Sequence, residues 1–496
     1  MSQLKGLDAS FLYLETPRMP MHIGTVQILD VLPQRREHFF RELKELVRSR
    51  SHLLPYLTHR VKDAPLQIDH PSWVACDVDY DAHIERVLLP PPGDMRTLEQ
   101  TVAELHARLL DRSRPLWKMY YIEGLANGQT ACFNVVHHAC VDGLSGQLAI
   151  NALTDATPDG VDATHLQSPT TTDAHSTHPR SGERLLHAID TWVHGGIESI
   201  AATARGIDAF ARLGTRLLAA PTAGPTAAWR APATPLNRAI GATRGFAALR
   251  ISLTDVKAIG KARGCSANDV FLAICGAALR AYLSRNDALP STSLIAGVPV
   301  SVRRPDDLTM NTQVALMRVA LGTRIDDPVA RLTAIHAAAA EARSLVADLA
   351  AVLPSNPRFL GMPWLERGAA RLWELSGAAN VVPPLINLII SNVPGPRAIR
   401  YLNGARVLTL FPVSIPAHGS GMNITAHSYA EYFEIGVTVC AETVPDIELF
   451  RDDLLRAYVD LRARVLQHRY DERVLQREHR NGHAERRWLT AGREVA

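Results

Sequence analysis

The sequence predicts a mixed α/β protein that is built from two domains. Its 496 residues are more than one hydrophobic core usually supports, so two domains are the default expectation. Strand-like and helix-like stretches alternate as far as a histidine pair, His137-His138. A strand-like stretch at residues 245–252 then opens the later half of the chain. These observations give the fold class before any motif is considered.

Hydrophobic spacing predicts the elements around the histidine pair and one helix near the start. Residues 130–136 are apolar and predict a buried strand, and Asp142 opens a helical stretch. Residues 36–50 are predicted to form an amphipathic helix. Its apolar face consists of Phe39, Phe40, Leu43, Leu46 and Val47.

Changes in composition divide the chain. Residues 157–184 are polar and indicate a linker, residues 185–218 are helix-like, and residues 219–235 are rich in Ala, Pro and Thr. The organisation predicted from these changes has four parts. They are a first domain at 1–156, a connecting region at 157–240, a second domain at 241–466 and a basic tail at 467–496.

The string that starts at His137 is the strongest indication of chemistry in the chain. It runs His137-His138-Ala139-Cys140-Val141-Asp142-Gly143. Two histidines at the end of a core strand, followed by an acid and a glycine, are costly to build for packing alone. Imidazole has an unperturbed pKa of about 6.5, so it can accept a proton from a hydroxyl or a thiol. A general base is the leading interpretation, and a purely structural histidine pair is the open alternative.

Two other kinds of site fit these residues poorly. Adjacent histidines on a strand point to opposite faces, and no further ligand stands at a familiar metal-binding spacing. A nucleophilic triad needs a serine or cysteine on a sharp strand-to-helix turn, but the chain contains no Gly-x-Ser-x-Gly. The stretch most similar to Gly-x-Ser-x-Gly, at residues 426–430, continues into a strand-like stretch and not into a helix. We therefore expect neither a metal site nor a nucleophilic triad.

Composition argues against several other classes of protein. A net charge of +3 without a basic, aromatic stripe predicts no nucleic-acid partner. Six cysteines without a regular framework indicate free thiols in a reducing cytosol, and the start of the chain lacks an apolar signal core. The most apolar stretch, residues 381–390, is too short to span a bilayer, and its end predicts a core strand that enters a loop. The expectation is a cytoplasmic protein, and any contact it makes with lipid would come from the side.

A second motif, Ser266-Ala267-Asn268-Asp269, has nearly the spacing of a capping box. Capping and the helix dipole account for Ser266 and Asp269, which would support the site structurally. They do not account for Asn268, because an amide is poorly placed at an apolar helix start unless it has a partner. Structural and catalytic interpretations of Asn268 both stay open at this point.

Several blocks of the chain resemble one family. His-His-x-x-x-Asp-Gly is the signature of the CoA-dependent acyltransferase superfamily, which includes chloramphenicol acetyltransferase and the condensation domains of peptide synthetases. Six further blocks, in order between about residues 4 and 460, resemble bacterial wax ester synthase/acyl-CoA:diacylglycerol acyltransferases. They are Leu7-Asp8-Ala9-Ser10-Phe11-Leu12 with Pro20-Met21-His22-Ile23-Gly24, Arg114-Pro115-Leu116-Trp117, Asn268-Asp269-Val270, Pro299-Val300-Ser301-Val302-Arg303, and Ser391-Asn392-Val393-Pro394-Gly395-Pro396. The resemblance implies two chloramphenicol-acetyltransferase-like domains with an active-site tunnel at their interface.

The resemblance also implies a reaction, which is transfer of a fatty acyl group from acyl-CoA to diacylglycerol or a long-chain alcohol. No cofactor is implied, since acyl-CoA is a substrate. His138 would act as the general base, His137 would orient the turn, and N–H groups near Gly143 and the amide of Asn268 would bind the oxyanion. Trp117 is a candidate for lining the acyl tunnel, although a tryptophan beside a proline turn is more often part of the core.

Asp142 is implied to form an ion pair with an arginine inside the active-site turn. Arg303 is the candidate partner and Arg318 the rival, and the sequence does not choose between them. Two other functions also stay open. One is a condensation-type enzyme that takes its acyl group from a carrier protein, and the other is a non-catalytic lipid-binding scaffold.

The C-terminal tail suggests a contact with lipid. From Gln467 onward it carries seven arginines and an apolar Trp488-Leu489. Arginines near an anionic leaflet gain roughly 1 kcal/mol each, so peripheral association with the inner membrane or a lipid droplet is expected. The alternative is a solvated helix end, because acidic residues interleave with the arginines.

Overall fold

A computed structural model describes residues 2–4, 6–64, 67, 69–141, 143–160, 230–301, 314–350 and 363–467. The α-helices of this part, numbered in chain order, are α1 (Gly6–Leu14), α2 (Arg36–Arg50), α3 (Pro55–Thr58), α4 (Tyr80–His83), α5 (Met95–His106), α6 (Gly143–Leu153), α7 (Leu253–Arg263), α8 (Ala267–Arg285), α9 (Pro328–Ala350), α10 (Pro363–Ser376) and α11 (Ile447–Arg462). The strands are β1 (Ser2–Gln3), β2 (His22–Asp30), β3 (His59–Lys62), β4 (Ser72–Ala75), β5 (Ile84–Leu88), β6 (Trp117–Glu123), β7 (Thr130–His137), β8 (Arg244–Ser252), β9 (Ile295–Ser301), β10 (Val314–Ala320), β11 (Leu388–Val393), β12 (Tyr401–Leu402), β13 (Ala405–Val407), β14 (Phe411–Val413), β15 (Met422–Tyr429) and β16 (Tyr432–Cys440).

The structure confirms the predicted mixed α/β class. Helix α2 has the predicted bounds, and Phe39, Leu43 and Val47 on its predicted apolar face are fully buried. Strand β7 covers the predicted apolar stretch and ends at His137, and α6 begins at Gly143. The predicted linker and helix between residues 157 and 235 lie largely outside the described residues, as does the tail after Gln467. Within the described ranges, no helix is long and apolar enough to cross a membrane.

Two larger sheets and one small sheet form the framework. The first larger sheet has the strand order β12-β13-β2-β7-β6-β5, and β14 also pairs with β2. The second has the order β10-β9-β11-β15-β16-β8, and the small sheet has the order β1-β4-β3. In the first sheet, β2 and β7 run antiparallel with His22 opposite His137. In the second, β15 and β16 form a hairpin, so the residues around Ser428 lack the strand-to-helix turn that a nucleophile elbow requires.

The core strand predicted at the end of residues 381–390 is confirmed as β11. Strand β11 begins only at Leu388, and Val381, Val382 and Leu385 are exposed. Two prolines, Pro383 and Pro384, explain the late start, because they supply no N–H to a neighbouring strand. The apolar run is thus half surface loop and half core strand.

The two larger sheets are not independent units, because the later half of the chain completes the first sheet. Residues 401–413 supply β12, β13 and β14, so the predicted second domain at 241–466 contributes strands to both sheets. Strand β8 also packs on α5, and Phe246 and Ala248 share a core with Val102 and Phe133. The halves are therefore joined by a continuous apolar core as well as by main-chain pairing.

Gly436 on β16 marks the closest approach between β14 and the second sheet. A Cβ atom at this position would lie 1.7 Å from the carbonyl oxygen of Pro412. Backbone atoms cannot yield as a flexible side chain can, so only glycine fits here without movement of a strand.

Replacement of Gly436 by alanine should therefore lower the free energy of unfolding by about 1–3 kcal/mol or more, as overpacking in cores does. Thermal and urea unfolding of purified protein measure this. Gly368→Ala is the matched control, since nothing lies within 4 Å of a Cβ built there in α10. The control should be unchanged or up to about 1 kcal/mol more stable. Equal losses in the two variants would contradict the close approach.

Candidate active site

The histidine pair lies where β7 leaves the first sheet. The His137 N–H donates to the Leu116 carbonyl at 2.9 Å, and the His138 N–H donates to the Met21 carbonyl at 2.8 Å. The Cys140 N–H then donates back to the His137 carbonyl at 2.9 Å and closes a turn. Main-chain bonds on both sides therefore hold the pair in place independently of its side chains.

Both ring nitrogens of His137 are engaged by the protein. The Ala139 N–H donates to Nδ1 at 3.0 Å, so the proton of the neutral ring lies on Nε2. That nitrogen lies 3.2 Å from Oε2 of Glu15, and the side chain is fully buried. A histidine held in this way orients the turn and has no free nitrogen for a substrate.

The buried carboxylate of Glu15 accepts hydrogen bonds from several donors. Arg112 Nη2 donates to Oε1 at 2.7 Å, and the Met21 N–H donates to Oε2 at 3.2 Å. Burial alone would raise the pKa of Glu15, but its contacts with His137, Arg112 and His22 together lower it to about 2. The carboxylate is therefore ionised and fully paired inside the protein.

Two further histidines extend this buried cluster. His22 Nδ1 lies 3.8 Å from Glu15 Oε2, and His106 Nε2 lies 2.9 Å from the carbonyl oxygen of His22. Burial and the proximity of His106 lower the pKa of His22 to about 3, and burial lowers the pKa of His106 to about 4. Both rings are therefore neutral in the folded protein near neutral pH.

His138 has different surroundings. Its side chain is half-buried, and its ring stacks on Phe11 with centroids 4.0 Å apart and an interplanar angle of 15°. Phe11 lies on α1, which thus covers the histidine from the start of the chain. Stacking restricts the ring plane while leaving its nitrogen atoms at the ring edge, where a proton acceptor needs them.

The turn after His138 leads into α6, whose first residue is Gly143. The first N–H groups of a helix lack partners within the helix and carry a partial positive charge. Gln147 on the same helix donates to the carbonyl oxygen of Pro394. Helix α6 is thereby tied to the Ser391–Pro396 block of the later half.

Asn268 lies in the first turn of α8. The predicted capping box is confirmed, because Ser266 Oγ accepts from the Asp269 N–H at 3.1 Å and Asp269 Oδ2 accepts from the Ser266 N–H at 3.0 Å. Asp269 is also 2.8 Å from His336 Nδ1. Asn268 itself is half-buried, and its Oδ1 accepts from Asn392 Nδ2 at 3.4 Å. With its oxygen used in this way, the Asn268 NH₂ group is left to donate.

The block around Asn392 therefore connects two of the predicted site motifs. Pro394 contacts the helix that follows the histidine pair, and Asn392 contacts Asn268. The side chains of Asp142 and Arg303 lie outside the described residues. Arg318, the rival partner for Asp142, donates from Nε to the Leu385 carbonyl at 3.1 Å.

Trp117 lies in the core beneath the sheet. Its side chain is buried, its Nε1–H donates to the Leu57 carbonyl at 3.1 Å, and its ring stacks on His83 at 4.3 Å. These contacts match a structural tryptophan, so its position does not support a role in lining a tunnel.

Sequence reasoning missed the partners of the histidines. Glu15 and His106 stand in no motif, whereas Phe11 and Asn392 lie inside blocks that were used only for the resemblance. A charged residue directly after the end of a helix, as Glu15 is, gives no local sign of burial. In the part of the chain that the structure describes, no three His, Cys, Asp or Glu side chains are grouped to hold a metal ion.

Solved structures with the same arrangement are acyl-transferring and condensation enzymes. The wax ester synthase/diacylglycerol acyltransferase from Marinobacter aquaeolei aligns with a TM-score of 0.65 and 27% identity over 94% of this chain and 100% of that chain. The first condensation domain of the CDA synthetase aligns with a TM-score of 0.54 at 16% identity, which shows a shared fold alone. The fold is thus that of a two-sheet acyltransferase.

Sequence comparison specifies the family. The family model of the wax ester synthase/diacylglycerol acyltransferase catalytic domain matches residues 4–271, and that of its C-terminal domain matches residues 311–462. A protein of Mycobacterium tuberculosis, provisionally named a diacylglycerol O-acyltransferase, is 35% identical over 90% of this chain and 96% of its own length. A similarly named protein of Mycobacterium bovis is 33% identical over 91% of this chain and 89% of its own length. The chain belongs to the wax ester synthase/diacylglycerol acyltransferase family and is an acyltransferase.

The buried histidines predict a specific loss of stability in acid. In the unfolded chain, His22 and His106 become protonated near pH 6.5. In the folded chain they become protonated only at about pH 4 or below, because their pKa values are lowered to about 3 and about 4. The unfolded state therefore binds more protons in this window, and the free energy of unfolding falls as the pH drops through it. His106→Gln should reduce that fall by on the order of 2 kcal/mol. Urea unfolding across the window measures the slope, with the exposed His38→Gln as control. Identical slopes for His106→Gln and wild type would contradict the assignment.

A second prediction concerns the partner of Asp142. If Asp142 forms the implied buried ion pair with an arginine, Asp142→Asn should lower the free energy of unfolding by about 3–5 kcal/mol, the typical cost of breaking such a pair from one side. Double-mutant cycles with Arg303→Gln and with Arg318→Gln identify the partner, because only the true pair couples by about 0.5–3 kcal/mol. If Asp142→Asn kept the wild-type stability but lost activity, the acid would act on substrate and not as an ion-pair partner.

Proposed function

We propose that the protein transfers a fatty acyl group from acyl-CoA to the hydroxyl of a lipid, either diacylglycerol or a long-chain alcohol. The observation that carries the proposal is the difference between the surroundings of the two histidines. His137 has both nitrogens occupied by the protein, while His138 stacks on Phe11 at the end of β7. Family membership supports the reaction class, and this geometry favours His138 as the residue that performs it.

The reaction would proceed in a single complex of both substrates. His138 removes the proton from the lipid hydroxyl as its oxygen attacks the thioester carbonyl. The tetrahedral intermediate then expels the thiolate of CoA, and the C–S bond breaks as the new ester forms. The protonated His138 returns its proton to the thiolate. A positioned base contributes roughly 10²–10⁴-fold to the rate, and holding both substrates in line supplies much of the remainder.

The negative oxygen of the intermediate needs hydrogen-bond donors. The Asn268 NH₂ group is one candidate, because its own carbonyl oxygen is held by Asn392. The N–H groups at the start of α6, from Gly143, are another, since a helix N-terminus favours negative charge. Asp142, paired with Arg303 or Arg318, would hold the turn between them.

Both substrates are amphiphiles, so the protein would work at a membrane or lipid-droplet surface without spanning it. A condensation-type reaction with a carrier-bound acyl group is the second candidate, but its support is a likeness of fold at 16% identity. A non-catalytic lipid scaffold is disfavoured by the intact motif from His137 to Gly143.

The two histidines should respond differently to substitution. His138→Ala should reduce thiol release from palmitoyl-CoA by about 10²–10⁴-fold with either hexadecanol or dioleoylglycerol, while the melting temperature stays near that of wild type. His137→Ala should lower the melting temperature, because it leaves Glu15 buried without one of its partners, and should leave measurable turnover. The exposed His38→Ala serves as control. Near-wild-type turnover of His138→Ala would show that another group is the base.

A further inference from the structure

Helix α10 is amphipathic in the reverse of the usual sense. Its charged side faces the protein, where Glu366 Oε2 accepts from Ser10 Oγ at 3.1 Å and Glu374 lies 3.6 Å from Arg18. Arg367 on the same side lies over the ring of Tyr13 at 5.2 Å. A surface helix normally turns its apolar stripe inward and its charges outward. In α10 the apolar stripe is on the outside.

The outward stripe continues beyond the helix into an exposed loop. Eight of the 21 exposed large apolar side chains in the described ranges fall between residues 364 and 385. We call six of them, each between 46% and 80% exposed, the 364–385 surface; they are Trp364, Leu372, Leu375, Val381, Val382 and Leu385. Apolar side chains exposed singly need no explanation, but a clustered group of this kind marks an interaction site.

The exposed charges that border the 364–385 surface are basic, whereas Glu366 and Glu374 of α10 face the protein. Arg371 is exposed beside the stripe, and Arg230 and Arg238 are exposed on a segment that borders the loop. That segment is held there because the Ala231 N–H donates to the Pro384 carbonyl at 2.8 Å. No acidic residue occurs in residues 230–250 or 375–400. A protein partner would require matching acidic and apolar groups, whereas an anionic bilayer presents both over its whole area.

The surface also lies close to the histidine that the proposed reaction uses. Helix α10 packs on α1, and Phe11 of α1 stacks on His138. A lipid layer in contact with the outer side of α10 would thus be separated from His138 by two layers of helix. This arrangement suits an acceptor that leaves the lipid phase and enters the protein beside α1.

We propose that the 364–385 surface docks the protein on anionic phospholipid, with Trp364 and the leucines in the headgroup region and the bordering arginines against the phosphates. The biological use of this surface, delivery of the acceptor, rests on the proposed function. The docking itself does not, and the two can be tested separately.

The test uses full-length protein and flotation with vesicles of phosphatidylcholine mixed with phosphatidylglycerol, and with vesicles of phosphatidylcholine alone. The double variant Leu372→Glu/Leu375→Glu should partition onto the mixed vesicles about tenfold or more weakly than wild type. The matched control is Leu455→Glu/Val459→Glu, which places the same charges on exposed apolar positions of α11. The control should bind as wild type does, and wild type should bind the uncharged vesicles less well.

Two outcomes would overturn the docking proposal. One is equal flotation of the α10 and α11 variants. The other is a combination of two results, in which light scattering shows that wild type is a dimer and the α10 variant a monomer, while the α10 variant still binds vesicles as wild type does. That combination would mean that a second copy of the chain covers the surface. Thiol release with a short, water-soluble alcohol should be unaffected in both variants. Its absence from wild type with every acceptor would refute the proposed function while leaving the flotation result intact.

Discussion

A single buried charge, the carboxylate of Glu15, sets the order of the site. Burial of an ion is costly unless it is paired and hydrogen-bonded, and Glu15 meets that condition with Arg112, the Met21 N–H and His137. The pairing immobilises His137 from one side while the turn immobilises it from the other. His138 then faces the opposite environment as a consequence of strand geometry. The orientation of the histidine pair thus depends on a buried residue that stands in no recognised motif.

The later half of the chain contributes to the site through the segment that follows β11. Asn392 reaches Asn268, and Pro394 accepts from Gln147 on the helix after the histidine turn. Arg400 then donates from Nε to Thr154 Oγ1 at 3.0 Å, near the other end of that helix. Helix α6 is thereby held at two points by one stretch of chain. The contacts that fix the position of the later half relative to α6 therefore also place the residues of the site.

Most of the predictions that the structure confirms came from local patterns in the sequence. Helix α2, strand β7 and the Ser266–Asp269 cap each depend on neighbours within four residues, so periodicity and capping chemistry suffice to find them. Strands β12 to β14 are two or three residues long, and β13 and β14 pair with β2 from the other end of the chain, which leaves no periodic sign. Glu15 escaped notice because its side chain pairs with Arg112 and His137, which are distant in the sequence. Strand β11 was predicted at the end of its apolar run, which follows two prolines.

The pairing of β14 with β2 has a consequence for the order of events during synthesis. Phe411 pairs with Val26, which leaves the ribosome 385 residues earlier. At about 5–20 residues per second, this strand edge waits roughly 20–80 s for its partner. An unpaired edge beside apolar side chains is prone to wrong association during that time. Nascent chains of this protein should therefore depend on holding factors more than chains whose early sheets close upon themselves, and separating the two halves of the chain would leave the first sheet without β12, β13 and β14.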